Sequence, residues 1–147
     1  EAIKDTNLKI DLYEIDACDS HDHLGKFDFI LLMNILQFLP PDLISYRIEY
    51  FKSLVKPKGI FSAEVFTVED PSFAKNLKSS GMPCTTRTLE HHNRGYSVTF
   101  LDKGDLVNHF KDWEIIYYHE GLIWDKPHGT QTAFHQHGLA QIIARKP

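Results

Sequence analysis

The sequence predicts an α/β domain built on a mostly parallel sheet, and three stretches carry that prediction. Phe29 to Met33 are five apolar residues in a row after Asp28, the pattern of a central parallel strand covered on both faces. Ile44, Ile48, Phe51 and Val55 then fall at offsets of 0, 4, 7 and 11, one stripe of a helix. Ile60 to Thr67 is again β-compatible. Strand, helix and strand in that order is the signature of the class.

The remaining elements follow from the same reasoning. Leu8 to Ile15 ("LKIDLYEI") alternates, which predicts a strand with one wetter face. The polar stretch "DACDSHDHLGK" (16–26) is a loop with Gly25 as a turn residue. Pro40 and Pro41 suit a helix start, where a missing N–H would be unpaired anyway. "KPKG" (56–59) stops that helix before the strand at Ile60. Asp70-Pro71 caps a short helix that fades near Gly81. Residues 82–97 have no clear period and read as a loop or lid. Asp102 is the expected N-cap of a helix with Leu106, Val107 and Phe110 on its apolar face. Trp113–His119 and Leu139–Arg145 are the last two strands, with a long polar segment between them.

Composition narrows the function classes. The 147 residues suit one domain. A net charge of −4 argues against a general nucleic-acid binder, which needs a basic surface. No apolar run approaches the roughly 20 residues that span a membrane. Cys18 and Cys84 form no metal knuckle or disulfide framework, so a reduced, cytoplasmic protein is expected. The chain opens at Glu1 inside what reads as the end of a helix and a loop entering a strand. The natural beginning is therefore expected to be missing.

Four stretches, "YEIDA" (13–17), "FDFILLMNILQFLP" (27–40), "LVKPKGIFSAEVF" (54–66) and "TFLDKGDLVNHFKDWEIIYYHEG" (99–121), together resemble the C-terminal two-thirds of class I S-adenosylmethionine-dependent methyltransferases. They are most similar to the tellurite-resistance type and related small-molecule enzymes. The closing "IIARKP" fits the family's last strand. The resemblance implies a Rossmann-like sheet of seven strands in the order 3-2-1-4-5-7-6 with the last antiparallel. Leu8–Ile15 would be its third strand, Phe27–Met33 its fourth, Ile60–Thr67 its fifth, and the final pair its sixth and seventh. The first two strands and the glycine-rich cofactor loop have no counterpart, so the domain is expected to be truncated at its N-terminus. Either the third strand then pairs directly with the fourth, or a partner chain or a second copy fills the gap, or the sequence misrepresents the protein.

The same resemblance implies S-adenosylmethionine as cofactor and a small molecule as methyl acceptor. Asp16 and Ala17 would meet the adenine, the alternative for Asp16 being a strand-ending turn. Met33 and Asn34 would flank the methionine moiety, the alternative for Asn34 being a turn cap. Leu36 and Phe38 are expected in the core. Tyr96, Trp124, His128 and Phe134 are candidate acceptor contacts, and residues 82–97 and 121–138 would form the acceptor pocket. Methyl transfer from a sulfonium needs alignment more than acid–base groups, so no catalytic constellation is expected. His135 and His137 are candidate proton acceptors, with His91 and His92 able to approach, and solvated loop histidines are the alternative. Glu64 is read as a solvated carboxylate. No metal is assigned, because His135-x-His137 lacks a fixed third ligand, although Glu120 or His119 could supply one. The family's His-Arg pair in the last hairpin is not reproduced in "GLIWDKPHGTQTAFHQHG" (121–138), which leaves the acceptor open. The rival functions are a non-catalytic assembly module and a histidine-rich metal-binding protein. The segment "NILQF" departs from the Asn/Asp-Pro-Pro-aromatic pattern of nucleic-acid methyltransferases.

Overall fold

The computed structural model describes residues 9–83, 87–90, 96–127 and 132–147. In chain order the elements are β1 (Phe27–Leu32), α1 (Pro41–Leu54), β2 (Val55–Phe66), α2 (Pro71–Ser80), the short β3 (Thr88–Glu90) and β4 (Ser97–Thr99), α3 (Asp105–Asn108), β5 (Glu114–Asp125) and β6 (His135–Arg145). The main sheet has the order β1-β2-β6-β5, and β3 pairs with β4 apart from it. β1 and β2 are parallel, while β6 runs antiparallel to both β2 and β5. Three strands therefore share one direction and the last opposes them. This is the α/β arrangement expected, and its order is that implied for the fourth, fifth, seventh and sixth strands.

The core explains why these segments fold together. Phe61, Ala63 and Val65 of β2 and Ala140, Ile142 and Ala144 of β6 alternate onto one face, where they meet Ile44 and Ile48 of α1 together with Leu106 and Phe110. Pro41 opens α1 at its first turn, and Ile44 and Ile48 are buried as the stripe requires. Lys146 Nζ closes the other end by donating to the carbonyls of Lys52 and Val55 at 3.1 and 2.8 Å. Burial and the nearby ammonium groups of Lys26 and Lys52 hold Lys146 below the ordinary lysine range. In α2, Asp70 caps the first turn through the Ser72 N–H and Gly81 ends the helix at φ 66°, as the Asp-Pro and Gly signals predict.

Five expectations are corrected. Lys9–Ile15 forms no strand; Leu12 is 91% exposed, and without a neighbouring strand an alternating pattern has nothing to pair with. β1 is not covered on both faces: it is a sheet edge, with Phe29, Leu31 and Met33 about half exposed. β2 begins at Val55, so "KPKG" lies inside the strand, with Lys58 at φ 66° and a register shift opposite Phe27/Phe29. Asp102 caps nothing; Gly104 precedes α3, and Asp102 pairs with Arg87 at 2.8 Å. Finally, β5 and β6 extend to Asp125 and back to His135, so much of the expected polar loop is hairpin, and residues 82–97 include β3 and the start of β4.

The first correction has a measurable outcome. Leu12→Ser changes unfolding free energy by less than about 0.5 kcal/mol in urea denaturation. Ile48→Ala, at a fully buried site, costs about 3 kcal/mol. A loss above about 1 kcal/mol at Leu12 would show that it packs in a strand after all.

Candidate functional site

In an open parallel sheet the ligand crevice lies beyond the carboxyl ends of the strands. At this edge β1 ends at Leu32 and leads into Met33 and Asn34, β2 ends near Thr67, β5 ends at Asp125 and the antiparallel β6 begins at His135. Asn34 takes a left-handed φ of 54°, which Asn tolerates better than most residues. It turns the chain into a 3-10 turn at Leu36–Phe38, where Gln37 Nε2 donates to Asn34 Oδ1 at 3.2 Å. Leu36 and Gln37 are buried, whereas Phe38 is half exposed and meets Tyr96 edge-on at 5.3 Å. Phe38 is thus not core. Gln37 Oε1 and Thr67 Oγ1 are buried without a hydrogen-bond partner among the described residues.

A cleft of about 350 Å³ runs along β1, lined by Ala17, Leu32 and Ile35 among other apolar groups. Ala17 reaches it because the 16–25 turn is moored to α1. Arg47 Nη1 donates to the Asp19 carbonyl at 3.0 Å, and Tyr50 Oη donates to Asp22 Oδ1 at 3.3 Å. Asp16 stands beside Ala17, exposed, with Oδ1 accepting the Cys18 N–H at 2.7 Å. Its geometry is that of an Asx turn, which leaves the second carboxylate oxygen its acceptor capacity.

The far side of the edge is more tightly built. Asp70 is 2% exposed. Its Oδ1 accepts from the Ser72 N–H and hydroxyl at 2.8 and 2.6 Å, while Oδ2 accepts from His137 Nδ1 at 3.0 Å and the Gly138 N–H at 3.1 Å. His137 stacks on Phe66 at 5.2 Å and stands perpendicular to His135 at 4.8 Å. The hairpin register places Asp125 opposite His135 and Ile123 opposite His137. Residues directly opposite, and residues two apart on a strand, share a face. His135, His137 and Asp125 therefore meet, with one potential ligand atom from each lying within 4.8 Å of the others.

That geometry replaces the third ligands expected from sequence. Glu120 points to the opposite face of β5 from Asp125, where it accepts from Tyr118 Oη and the Gly104 N–H. Burial and the Glu120 carboxylate hold the Tyr118 phenol above its usual range. His119 is four residues before Ile123, roughly 13 Å along the strand. Trp124 is 69% exposed, on the opposite hairpin face from the two histidines, so the hairpin does not let them share one pocket wall; Phe134 is 64% exposed. Glu64 accepts from Gln141 Nε2 at 2.6 Å and is partly buried rather than solvated. His128, His91 and His92 lie outside the described residues. Asp70 and Asp125 were not singled out from sequence; Asp-Pro signalled a cap only, and Asp125 acquires its neighbours through register.

No family model matches the chain, and no curated protein matches it in sequence. Among solved structures it is similar to TehB from Haemophilus influenzae, with a TM-score of 0.66 and 18% identity over 99% of this chain and 44% of that one. It is also similar to a SAM-dependent methyltransferase from Methanosarcina mazei, with a TM-score of 0.67 and 18% identity over 90% of this chain and 65% of that one. The magnesium protoporphyrin IX methyltransferase of Synechocystis, solved with bound SAH, matches at a TM-score of 0.52 and 15% identity, over 89% and 48% of the two chains. At these identities the likeness is one of fold: this chain has the Rossmann-like fold of SAM-dependent methyltransferases. It spans 44% to 65% of the length of these three proteins. Among the described residues, no helix is long and apolar enough to cross a membrane.

Proposed function

We propose that this chain belongs to a reduced, cytoplasmic S-adenosylmethionine-dependent methyltransferase acting on a small molecule. The observation that carries the reading is the sheet order β1-β2-β6-β5 with β6 alone reversed, the order the resemblance implies for the fourth, fifth, seventh and sixth strands. The cleft along β1 fits the cofactor's adenine in character: it is apolar, narrow in side chain at Ala17, and has Asp16 on its rim. Bound S-adenosylmethionine supplies an electrophilic methyl group, and the protein's work is alignment in a dry pocket. In this reading Asp16 accepts from the adenine amino group, the Ala17 N–H meets the ring, and Met33 and Asn34 flank the methionine end. Tyr96 and Phe134 border the acceptor. In the metal-free chain His135 or His137 takes a proton where the acceptor must lose one.

The test is titration calorimetry of S-adenosylhomocysteine into this chain. We expect micromolar binding, weakened about ten-fold by Asp16→Ala, equivalent to about 1.4 kcal/mol. A chain that is folded by circular dichroism yet shows no heat of binding would overturn cofactor binding by these residues alone.

A second reading has its own observation. Phe29, Leu31 and Met33 lie about half exposed on an open sheet edge, and such edges invite pairing with another chain. An assembly module, with a second copy or a partner chain lying along β1, would form a stable oligomer in light scattering without binding cofactor.

A further inference from the structure

The geometry points to a divalent transition-metal site formed by His135, His137 and Asp125 at the open end of the β5–β6 hairpin. Metal binding there does not depend on methyl transfer. The three residues converge: they come from two strands, on one face, with their candidate ligand atoms within 4.8 Å of one another. Bonds of about 2.0–2.1 Å in a tetrahedral site place ligand atoms roughly 3.4 Å apart. Closing the difference takes a movement of about 1.5 Å, within the rotamer freedom of side chains that are only partly buried.

A histidine that holds a metal characteristically donates its other ring N–H to a carboxylate or carbonyl. Both histidines do so here. His137 Nδ1 donates to Asp70 Oδ2 at 3.0 Å, and His135 Nδ1 donates to the Ala133 carbonyl at 3.2 Å. An ionised carboxylate and a carbonyl only accept, so each ring bears a proton on Nδ1, the arrangement in which a metal is met through Nε2. Asp70 is itself buried and held by the Ser72 and Gly138 donors, so it fixes the His137 ring rather than following it.

Two imidazoles and one carboxylate favour borderline ions such as Zn²⁺, Co²⁺ or Ni²⁺, whereas Mg²⁺ and Ca²⁺ prefer all-oxygen sites. Three such ligands leave coordination positions for water or a ligand atom, the pattern of exchangeable rather than closed structural sites.

The test uses the whole chain without a histidine tag, titrated with Co²⁺ followed by visible absorption and with Zn²⁺ by calorimetry. We expect one ion per chain and at least ten-fold weaker binding in each of His135→Ala and Asp125→Ala, both at partly buried positions away from the core. Asp70→Asn weakens binding ten- to a hundred-fold through His137. His23→Ala, at an exposed position far along the chain, leaves it unchanged. Circular dichroism and thermal melts confirm that each variant is folded. Absence of stoichiometric binding overturns the proposal, as does binding that survives His135→Ala and Asp125→Ala unchanged.

Discussion

Asp70→Ala lowers the unfolding free energy by about 3 kcal/mol, seen as a melting temperature lower by about 10 °C. The size follows from how many donors converge on one buried carboxylate. Loss of the α2 cap alone costs about 1 kcal/mol. Oδ2 also accepts the Gly138 N–H, which is buried, and His137 Nδ1; each donor left unsatisfied adds about 1–3 kcal/mol, more at a buried backbone N–H than at a partly exposed ring. Asp70→Asn separates the parts. Its carbonyl oxygen can still cap Ser72, but its amide cannot accept from Gly138, so about 2 kcal/mol is lost. Ser72→Ala removes only the hydroxyl partner and costs less than either. If all three variants melt within a degree of wild type, Asp70 is not the junction between α2 and β6 that its contacts describe.

The parts of this fold that could be read from sequence are those whose cause is local. The helix stripe from Ile44 to Phe51, the double proline before it and the Asp-Pro and Gly signals around α2 each act within a turn or two. What could not be read depends on partners distant in the chain. Lys9–Ile15 has the alternation of a strand, but alternation specifies two faces and not a neighbour, and the segment lies exposed. The outer half of the β5–β6 hairpin is polar and carries histidines, so composition suggested a loop; it is cross-strand pairing that makes it a strand. β3 and β4 are three residues each, too short for a period to show.

The candidate site divides in the same way. Met33 and Asn34 were placed by the end of an apolar run, a local signal. The pair His135 and His137 was visible as a spacing of two, but its third member depended on the register that sets Asp125 opposite His135. Asp70, 67 residues from His137, had no signal beyond its role as a cap. One clue did stand in the sequence: a lone Gly inside the strand-like run "HGLAQIIAR", which often marks a close backbone approach.

Gly138 is that approach, and Gly138→Ala is expected to destabilise the chain by about 3 kcal/mol or more. A methyl group there would stand 2.2 Å from Asp70 N and 2.5 Å from Glu69 C. Both are backbone atoms in a tight turn, so no rotamer change relieves the overlap. β6 would have to move away from the 67–70 turn, breaking the bond from the Thr67 N–H to the Gly138 carbonyl (2.8 Å) and that from the Gly138 N–H to Asp70 (3.1 Å). Gly25→Ala is the contrast: nothing lies within 4 Å, and only its backbone conformation (φ +81°, ψ −147°) opposes a side chain, at about 1–3 kcal/mol. Because Gly138→Ala and Asp70→Ala break one shared contact, their losses should not add in urea denaturation. The double variant should fall short of the sum by about 1 kcal/mol or more. Additive losses would mean that the Gly138 backbone and the Asp70 carboxylate act independently. In that case the turn would not be what holds His137 in place beside His135.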